Sequence, residues 1–519
     1  MKKHTNRIVQ LLASFSVSAV VATTSVADER LTGLDDYVAA LMDLSHVPGV
    51  ALTIVEGDQV TIKGFGVRTA GAEDPIDGDT VFAIGSMTKN ITATALAIAV
   101  EKGDLSWDTP LTHYVDGLAF SDPYLNEQLT LRDVLSHRTG LDRADLIWFA
   151  RKGATRADMV SRIRNIPRIE AFRDSYLYNN FMYLAAGEAI PAVTGVSWDA
   201  YLNEHLFTPM GMTRTTTNVA ALEGMANVAT PHYLKPERAV PTEYFDLAHM
   251  GPAGSVNSTA NDMATWCKMQ IDGGSHSGKQ VVPTAALDAV RTPLTFMEHA
   301  EKGHIGTQHK TYAMGLERMN YGDGHVVYSH GGAIQGMASL ISFIPDADLC
   351  VAVLTNGETG SGVRQFVSDW VMDHLLGIPK TDYLSDFNAN LAKRRGRNAG
   401  AAQLHAATHA PSTGYEVNAT AVVGVYSNPV YGELTISEKE GTLHTLYGTA
   451  FKGTLTPHRG YTFDITPEDP VRAAASPAPL NLSFAFEKSG KVSSVLLQMP
   501  GPSTSGIRFE PVGNDKPQQ

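Results

Sequence analysis

The order in which hydrophobic periodicities appear along the chain restricts its fold more than any single motif. Leu34, Val38, Leu41 and Met42 recur at helical spacing, with Pro48 just beyond. Two short alternating runs follow, GVALTIVEG and QVTIKGFGV, joined by the polar turn Glu56-Gly57-Asp58. From about residue 104 to 245 strand patterns are scarce, and helical segments such as LTLRDVLSH and FMYLAAGEAIPAV dominate. A further helix is expected over 260–272. Strand patterns then return in TYAMGLERM, HVVYSHG, MASLISFIP and DLCVAVLTN, and a helix at about 363–376 closes this part. The short links between the late strands imply antiparallel neighbours. The first hairpin must join them to complete one sheet. The expected fold is therefore α/β: an antiparallel sheet flanked by helices, with a helical subdomain inserted at about 104–245.

Beyond residue 380 the composition changes. NANLAKRRGRNAGAAQLHAATHAPSTG is rich in Ala, Asn, Gly and basic residues and reads as a linker or loose helix over 381–415. Its cluster Lys393-Arg394-Arg395-Gly396-Arg397 reads as a solvated segment. Period-two runs with turns every 8–12 residues follow, from VVGVYSN to KVSSVLLQM, and predict a small all-β barrel or sandwich over 416–513. At the other end, Lys2, Lys3 and Arg7 precede an apolar run from Ile8 to about Val21, and Ser25-Val26-Ala27 has the small-x-small form of a cleavage site. Residues 1–27 read as a signal peptide, giving a periplasmic or secreted protein with no transmembrane anchor after cleavage. The remainder, 28–380, reads as one domain.

Formal charge is −13, and nearer −16 without the three N-terminal cations, which argues against a nucleic-acid partner. There are two cysteines. In an exported chain Cys267 and Cys350 could pair, but one lies in a helical pattern and the other in a strand-like run, and they read as two free, buried thiols. No metal site is expected: the cysteines have no ligand spacing, and His299 and His304 lie in a polar loop without a zinc-protease pattern. The stretch GGSHSGKQ at 273–280 resembles a phosphate-binding loop only loosely, because Gln280 stands where a hydroxyl is needed and no strand precedes it. No cofactor is implied.

The stretch VFAIGSMTKNITATALAIAVEKG poses a chemical question. Lys89 stands one turn into a helix that is otherwise almost wholly apolar, where an ammonium loses hydration and gains little. Residues three apart on a helix share a face, so Ser86 and Lys89 can touch. Serine needs a base within hydrogen-bond reach to act as a nucleophile. A buried lysine has a lowered pKa and can accept a proton near neutral pH. The helix N-terminus favours negative charge on the serine oxygen or on a developing oxyanion.

The same stretch resembles the nucleophile helix of the serine β-lactamase and penicillin-binding protein superfamily. LTLRDVLSHRTGL, YLYNNFMYLAAGEAI, GPAGSVNSTANDMATW and YSHGGAIQGMASLISFIPD resemble the later motifs of its class C-like branch, in the family's chain order, over about 30–378. That branch includes D-aminopeptidases, D,D-carboxypeptidases and esterases, and some peptidase-like members carry an added C-terminal barrel. The resemblance implies that Ser86 is the acylated nucleophile, that Lys89 takes or relays its proton, and that Tyr178 acts with Lys89 as a coupled base and later donates to the leaving group. It implies that Asn180 holds Lys89 and binds substrate, with His330, Gly331 and Gly332 lining the substrate strand. The oxyanion hole would be the backbone N–H groups of Ser86 and Ala333. Tyr176 is a nearby competitor for the tyrosine role.

His330 departs from the lysine of most dedicated β-lactamases. It is charged only below about its ordinary pKa of ~6.5 unless the site shifts it, which makes efficient penicillin hydrolysis an unfavourable expectation. The reading is an exported serine hydrolase acting through an acyl-enzyme on an amide or ester, in first place a peptidase or amidase on small or D-residue peptides. The alternatives are a carboxylesterase or lactone hydrolase, then a β-lactamase, then a penicillin-binding-like module without turnover. The expected partner is a small-molecule or short peptide substrate, and the oligomeric state stays open.

Overall fold

The computed structural model describes residues 29–149, 153–235, 237–297, 310–322, 324–357, 361–378, 382–409, 419–448, 451–469, 479–498 and 506–512. The signal-peptide reading, and His299 and His304, lie outside them. Among the described residues, eight strands form the main sheet: Gly49–Glu56 (β1), Gln59–Gly66 (β2), Thr295–Phe296 (β3), Lys310–Tyr312 (β4), Glu317–Tyr321 (β5), His325–Ile334 (β6), Met337–Ile344 (β7) and Leu349–Thr355 (β8). Their order is β2-β1-β8-β7-β6-β5-β4-β3, antiparallel throughout. The first hairpin does join the late strands: β1 pairs with β8 from Val50 opposite Thr355 to Glu56 opposite Leu349.

Period two decides what each face of the sheet meets. Val50, Leu52 and Ile54 of β1, with Leu349, Val351 and Val353 of β8, pack on one side. There they meet Leu34–Ser45 (α1) and Ser361–Leu376 (α5). Ala51 and Val55, with Cys350, Ala352 and Leu354, face the opposite core. This larger core holds Thr88–Glu101 (α2), Asn180–Thr194 (α3) and Ala260–Ile271 (α4). Because both faces are covered, β7 and β8 are buried along their whole length, and apart from Ser339, Ser342 and Thr355 they are apolar on both faces.

Cys267 and Cys350 are not free thiols. They are joined as a disulfide, with Cα atoms 5.6 Å apart, across 83 residues of chain. The helical and strand-like patterns around them were read correctly, but α4 lies directly on β8, which places two distant cysteines opposite each other. The bond ties α4 to the sheet.

The C-terminal strands, Gly424–Asn428 (β9), Gly432–Lys439 (β10), Thr442–Tyr447 (β11), Phe451–Arg459 (β12), Thr462–Pro467 (β13), Leu480–Phe486 (β14), Val492–Gln498 (β15) and Ile507–Pro511 (β16), close into a barrel. Alternating residues such as Leu434 and Ile436, Leu482 and Phe484, and Val495 and Leu497 fill its interior. The five-residue closing strand β16 was not read from sequence.

The stretch read as a linker contains a 26-residue helix, Tyr383–Thr408 (α6). Its buried Tyr383, Phe387 and Leu391, four residues apart, seat its first half against α1 and α5. Tyr431, in the turn between β9 and β10, packs against both the barrel core and the larger hydrolase core. The Asn428 side chain fixes that turn by accepting from the Val430 and Tyr431 N–H groups at 2.8 and 2.9 Å. Among the described residues no helix is long and apolar enough to cross a membrane.

Replacing both cysteines, Cys267→Ala with Cys350→Ala, is expected to lower the unfolding free energy by about 2–4 kcal/mol. Urea denaturation under non-reducing conditions checks this. Unchanged stability would show that packing alone holds α4 on the sheet.

Candidate active site

Gly85 adopts a left-handed backbone (φ 52°), and a Cβ there would stand 2.9 Å from the Ala333 nitrogen on β6. Glycine therefore lets the turn Gly85–Met87 pass close to β6 and present Ser86 where α2 begins. From Thr88 to Ala99 every residue of α2 is buried, as expected of a helix running through a core. Several of its polar side chains find partners: Thr92 donates to the Pro252 carbonyl at 2.8 Å, and Asn90 Oδ1 accepts from Trp266 Nε1 at 3.2 Å.

Lys89 is fully buried. Its Nζ lies 2.6 Å from the Ala253 carbonyl, 2.8 Å from Asn180 Oδ1 and 3.1 Å from Ser86 Oγ. No carboxylate among the described residues lies within ion-pair distance of it. Burial pushes its pKa well below the ordinary lysine value, and Asp145, the nearest influential anion, offsets part of that. In the neutral amine, two hydrogens point at the two carbonyl-type acceptors and the lone pair faces Ser86. The amine can thus take the Ser86 proton.

The Tyr178 hydroxyl donates to Ser86 Oγ at 2.8 Å. Burial holds this phenol well above its ordinary pKa, with the Ser86 contact and Arg143 opposing, so it keeps its proton. Tyr178 precedes the N-cap of α3: Asn179 caps that helix, and Asn180 is its first residue. One short segment therefore delivers both Tyr178 and Asn180. Tyr176 also lines the cleft, but its ring packs on His137 and Tyr312, and it is Tyr178 whose hydroxyl reaches Ser86.

On β6, His330 is buried. Its Nδ1 lies 2.7 Å from the Gly331 carbonyl, which can only accept, so Nδ1 carries the proton. Nε2 then accepts from the Tyr312 hydroxyl at 2.8 Å. Burial, and next the Lys89 charge, hold the His330 pKa down to about 3. A Cβ on Gly332 would fall 1.8 Å from the Ile84 carbonyl and 2.5 Å from Ser339 Oγ, so only glycine lets β6 run this close to the Ser86 turn. Ser86, Tyr178, Asn180, His330, Gly331, Gly332 and Ala333 all border one cleft of about 830 Å3. Lys89 lies beneath its floor, in contact with Ser86.

Several residues at the cleft had no assigned part in the sequence reading. Asp145 accepts from Asn180 Nδ2 at 2.9 Å, Trp148 Nε1 at 3.0 Å and Arg143 Nη2 at 2.6 Å, which ties the cleft loop to the residue that holds Lys89. His137 Nδ1 accepts from the Asn179 N–H at 3.1 Å, and its ring lies 4.3 Å from that of Tyr178, so it sets that tyrosine from behind. Arg364 of α5 donates to the Gly332 and Ser339 carbonyls. His137 lies in LTLRDVLSHRTGL, and Arg143 and Asp145 follow that motif directly, which was the available signal.

A family model described as Beta-lactamase matches residues 34–375. The chain is 26% identical over 533 residues to an unguisins hydrolase of Aspergillus violaceofuscus, covering 95% of this chain and 91% of that one. The octameric penicillin-binding protein homologue of Pyrococcus abyssi superposes with a TM-score of 0.60 at 21% identity, over 92% of this chain and 99% of that one. A D-stereospecific amidohydrolase from a Streptomyces species superposes with a TM-score of 0.51 at 20% identity, over 64% of this chain and 97% of that one.

Gly332→Ala is expected to force β6 away from the Ser86 turn. A displacement of about 1 Å at a reacting centre costs on the order of 100-fold in rate. Acylation by an activated ester should fall by about that factor while far-UV circular dichroism stays unchanged. Unaltered acylation would mean that β6 does not set the geometry at Ser86.

Proposed function

Because the chain belongs to the beta-lactamase family of serine hydrolases, we propose that it cleaves an amide or ester through an acyl-enzyme on Ser86, in first place as a peptidase or amidase on small or D-residue peptides. The observation that carries this is the pair of contacts on Ser86 Oγ: Lys89 Nζ at 3.1 Å on one side and the Tyr178 hydroxyl at 2.8 Å on the other. Lys89 takes the serine proton as Oγ bonds to the substrate carbonyl carbon. The oxyanion is held by the backbone N–H groups of Ser86 and Ala333. As the C–N or C–O bond breaks, the leaving group takes a proton from Tyr178, which is re-protonated by Lys89. Water then hydrolyses the ester on Ser86, passing its proton back to the same pair. Asn180 keeps Lys89 in place, and Gly331 and Gly332 let substrate backbone lie along β6.

Two features favour an amide substrate. Burial keeps the Tyr178 proton available, and an amine leaves only when protonated, whereas an alkoxide needs less help. The structural neighbour named as a D-stereospecific amidohydrolase supports the same class. The neutral His330 disfavours a dedicated β-lactamase, because it offers no cation to a substrate carboxylate. Export to an oxidising compartment is supported by the disulfide and by the signal-like N-terminus.

The decisive experiment is intact-mass spectrometry after mixing with a β-lactam, an activated ester and a fluorophosphonate. Wild type should gain the adduct mass and Ser86→Ala should not. No adduct on folded wild-type protein would move the weight to a binding module without turnover. Matched amide and ester substrates separate peptidase from esterase: amide turnover is expected, and its absence across a broad peptide panel would favour the esterase.

The pH dependence follows from Lys89. The base must be neutral, so acylation should fall as pH drops through the lysine value, which burial places well below that of an ordinary lysine. A rate still climbing towards about pH 10, as an unshifted lysine requires, would overturn the assignment. His330 adds no limb near pH ~6.5, because it is already neutral there. His330→Lys is expected to speed acylation by a carboxylate-bearing β-lactam, relative to an uncharged ester, by about tenfold. That is about 1.4 kcal/mol, well inside the ~4 kcal/mol of unit charges 4 Å apart at an effective dielectric of ~20. An unchanged ratio would place the substrate carboxylate elsewhere.

A further inference from the structure

Far from Ser86, where the end of α6 meets the barrel, three imidazoles converge on one buried carboxylate. His405 Nε2 lies 3.0 Å and His458 Nδ1 3.1 Å from Asp464 Oδ1. His409 Nδ1 lies 3.7 Å from Asp464 Oδ2 and 3.3 Å from His458 Nδ1. The ligand atoms of His405, His458 and Asp464 all lie within 4.8 Å of one another. We propose that His405, His409, His458 and Asp464 bind one divalent transition-metal ion, zinc by ligand set, that pins the end of α6 to the barrel.

The hydrogen bonds around His458 point to a cation. Thr408 has one hydroxyl proton, directed at the Leu404 and His405 carbonyls, 3.0 Å from each. Its oxygen therefore accepts from His458 Nε2, 3.1 Å away, and Nε2 carries the ring proton. The lone pair on His458 Nδ1 then faces the Asp464 carboxylate and a second imidazole nitrogen. With its proton on Nε2, His458 offers the Asp464 carboxylate a lone pair at 3.1 Å, which repels; a cation between them turns that contact attractive. A metal-ligating histidine characteristically donates its other N–H to an oxygen in this way. The Asp464 carboxylate is held in turn by Asn481 Nδ2, which donates to Oδ1 at 2.6 Å.

The backbone delivers the four groups from three elements, the end of α6 and the adjacent strands β12 and β13. His405 and His409 are four residues apart at the end of α6, on one helical face. His458 sits where the register between β12 and β13 shifts, between Pro457 and Arg459. Such a bulge re-aims a side chain, and this one turns His458 inward, 6% exposed. Asp464 comes from the adjacent strand and is 5% exposed. A zinc ion at about 2.0–2.1 Å from nitrogen and oxygen ligands in a tetrahedron sets ligand atoms about 3.3–3.5 Å apart. The 3.0 and 3.1 Å contacts of His405 and His458 on Asp464 Oδ1 lie just inside that value, and His409 Nδ1, 3.3 Å from His458 Nδ1, stands where a fourth ligand could close in. Imidazole and carboxylate together suit zinc and its neighbours rather than calcium or magnesium.

The test uses untagged full-length protein, stripped by chelator and titrated with Co2+, then competed with Zn2+. One equivalent of Co2+ should bind with the visible bands of a four-coordinate site, and Zn2+ should displace it. His458→Ala, and the paired His405→Gln with His409→Gln at the less buried end of α6, should each weaken binding by about 100-fold or more, beyond the 10–100-fold typical of losing a second-layer partner. Circular dichroism would confirm that the helix variant stays folded. Wild-type protein that takes up no stoichiometric metal would overturn the proposal and leave a second proton on His458 as the cation. Full binding by either variant would overturn it too, because the ion would then sit elsewhere.

Discussion

An amine held away from water, with no carboxylate touching it, is unstable as a cation, and α2 holds Lys89 in that position. Desolvation weakens its proton, and three oxygens, one each from Ala253, Asn180 and Ser86, fix its direction. The rest of the site follows from that placement. Asn180 must stand at the first turn of α3 to meet the amine, which puts Tyr178 two residues earlier, over Ser86. Asp145 must hold the other end of the Asn180 amide, so the loop carrying Arg143 and Trp148 folds down over the cleft. Burial likewise suppresses charge on His330 and His137, so the groups around Ser86 are held neutral together.

The proportion of this that was legible in the sequence depended on range. Ser86 and Lys89 were legible because their spacing is local and a lysine in an apolar helix needs a reason. The strands of the main sheet were legible because burial on either face is written in alternating residues. His137, Asp145 and Arg364 were not, because each acts on the site through contacts with segments far away in the chain, which periodicity does not report. The disulfide required knowing that α4 lies on β8. The helix over 383–408 left a faint trace in Tyr383, Phe387 and Leu391, four residues apart; beyond them its Ala, Gly and basic residues give no apolar stripe.

The barrel is not a detached appendage. Tyr431 inserts between the two cores, and Leu146, in the loop that carries Asp145, packs against the barrel interior. The loop that steadies Asn180 therefore rests on the C-terminal domain. The first half of α6 is buried against α1 and α5, while its far end meets β12 and β13. The barrel is thus held at two separated points, one beside the cleft and one remote from it.

The pairing of β1 with β8 carries a cost in time. Val50 and Thr355 are neighbours in the sheet yet stand some three hundred residues apart in the chain. No ribosome-bound fragment that stops short of Thr355 can complete the sheet, and α2 cannot be sealed between its layers until then. Loop closure over such distances is slow, and half-built sheets with open edges are prone to stick to one another. The turn carrying Ser86 is synthesised early, but Lys89 loses its water only when the last strand arrives. The chain should therefore stay chemically inert at Ser86 until folding is nearly finished.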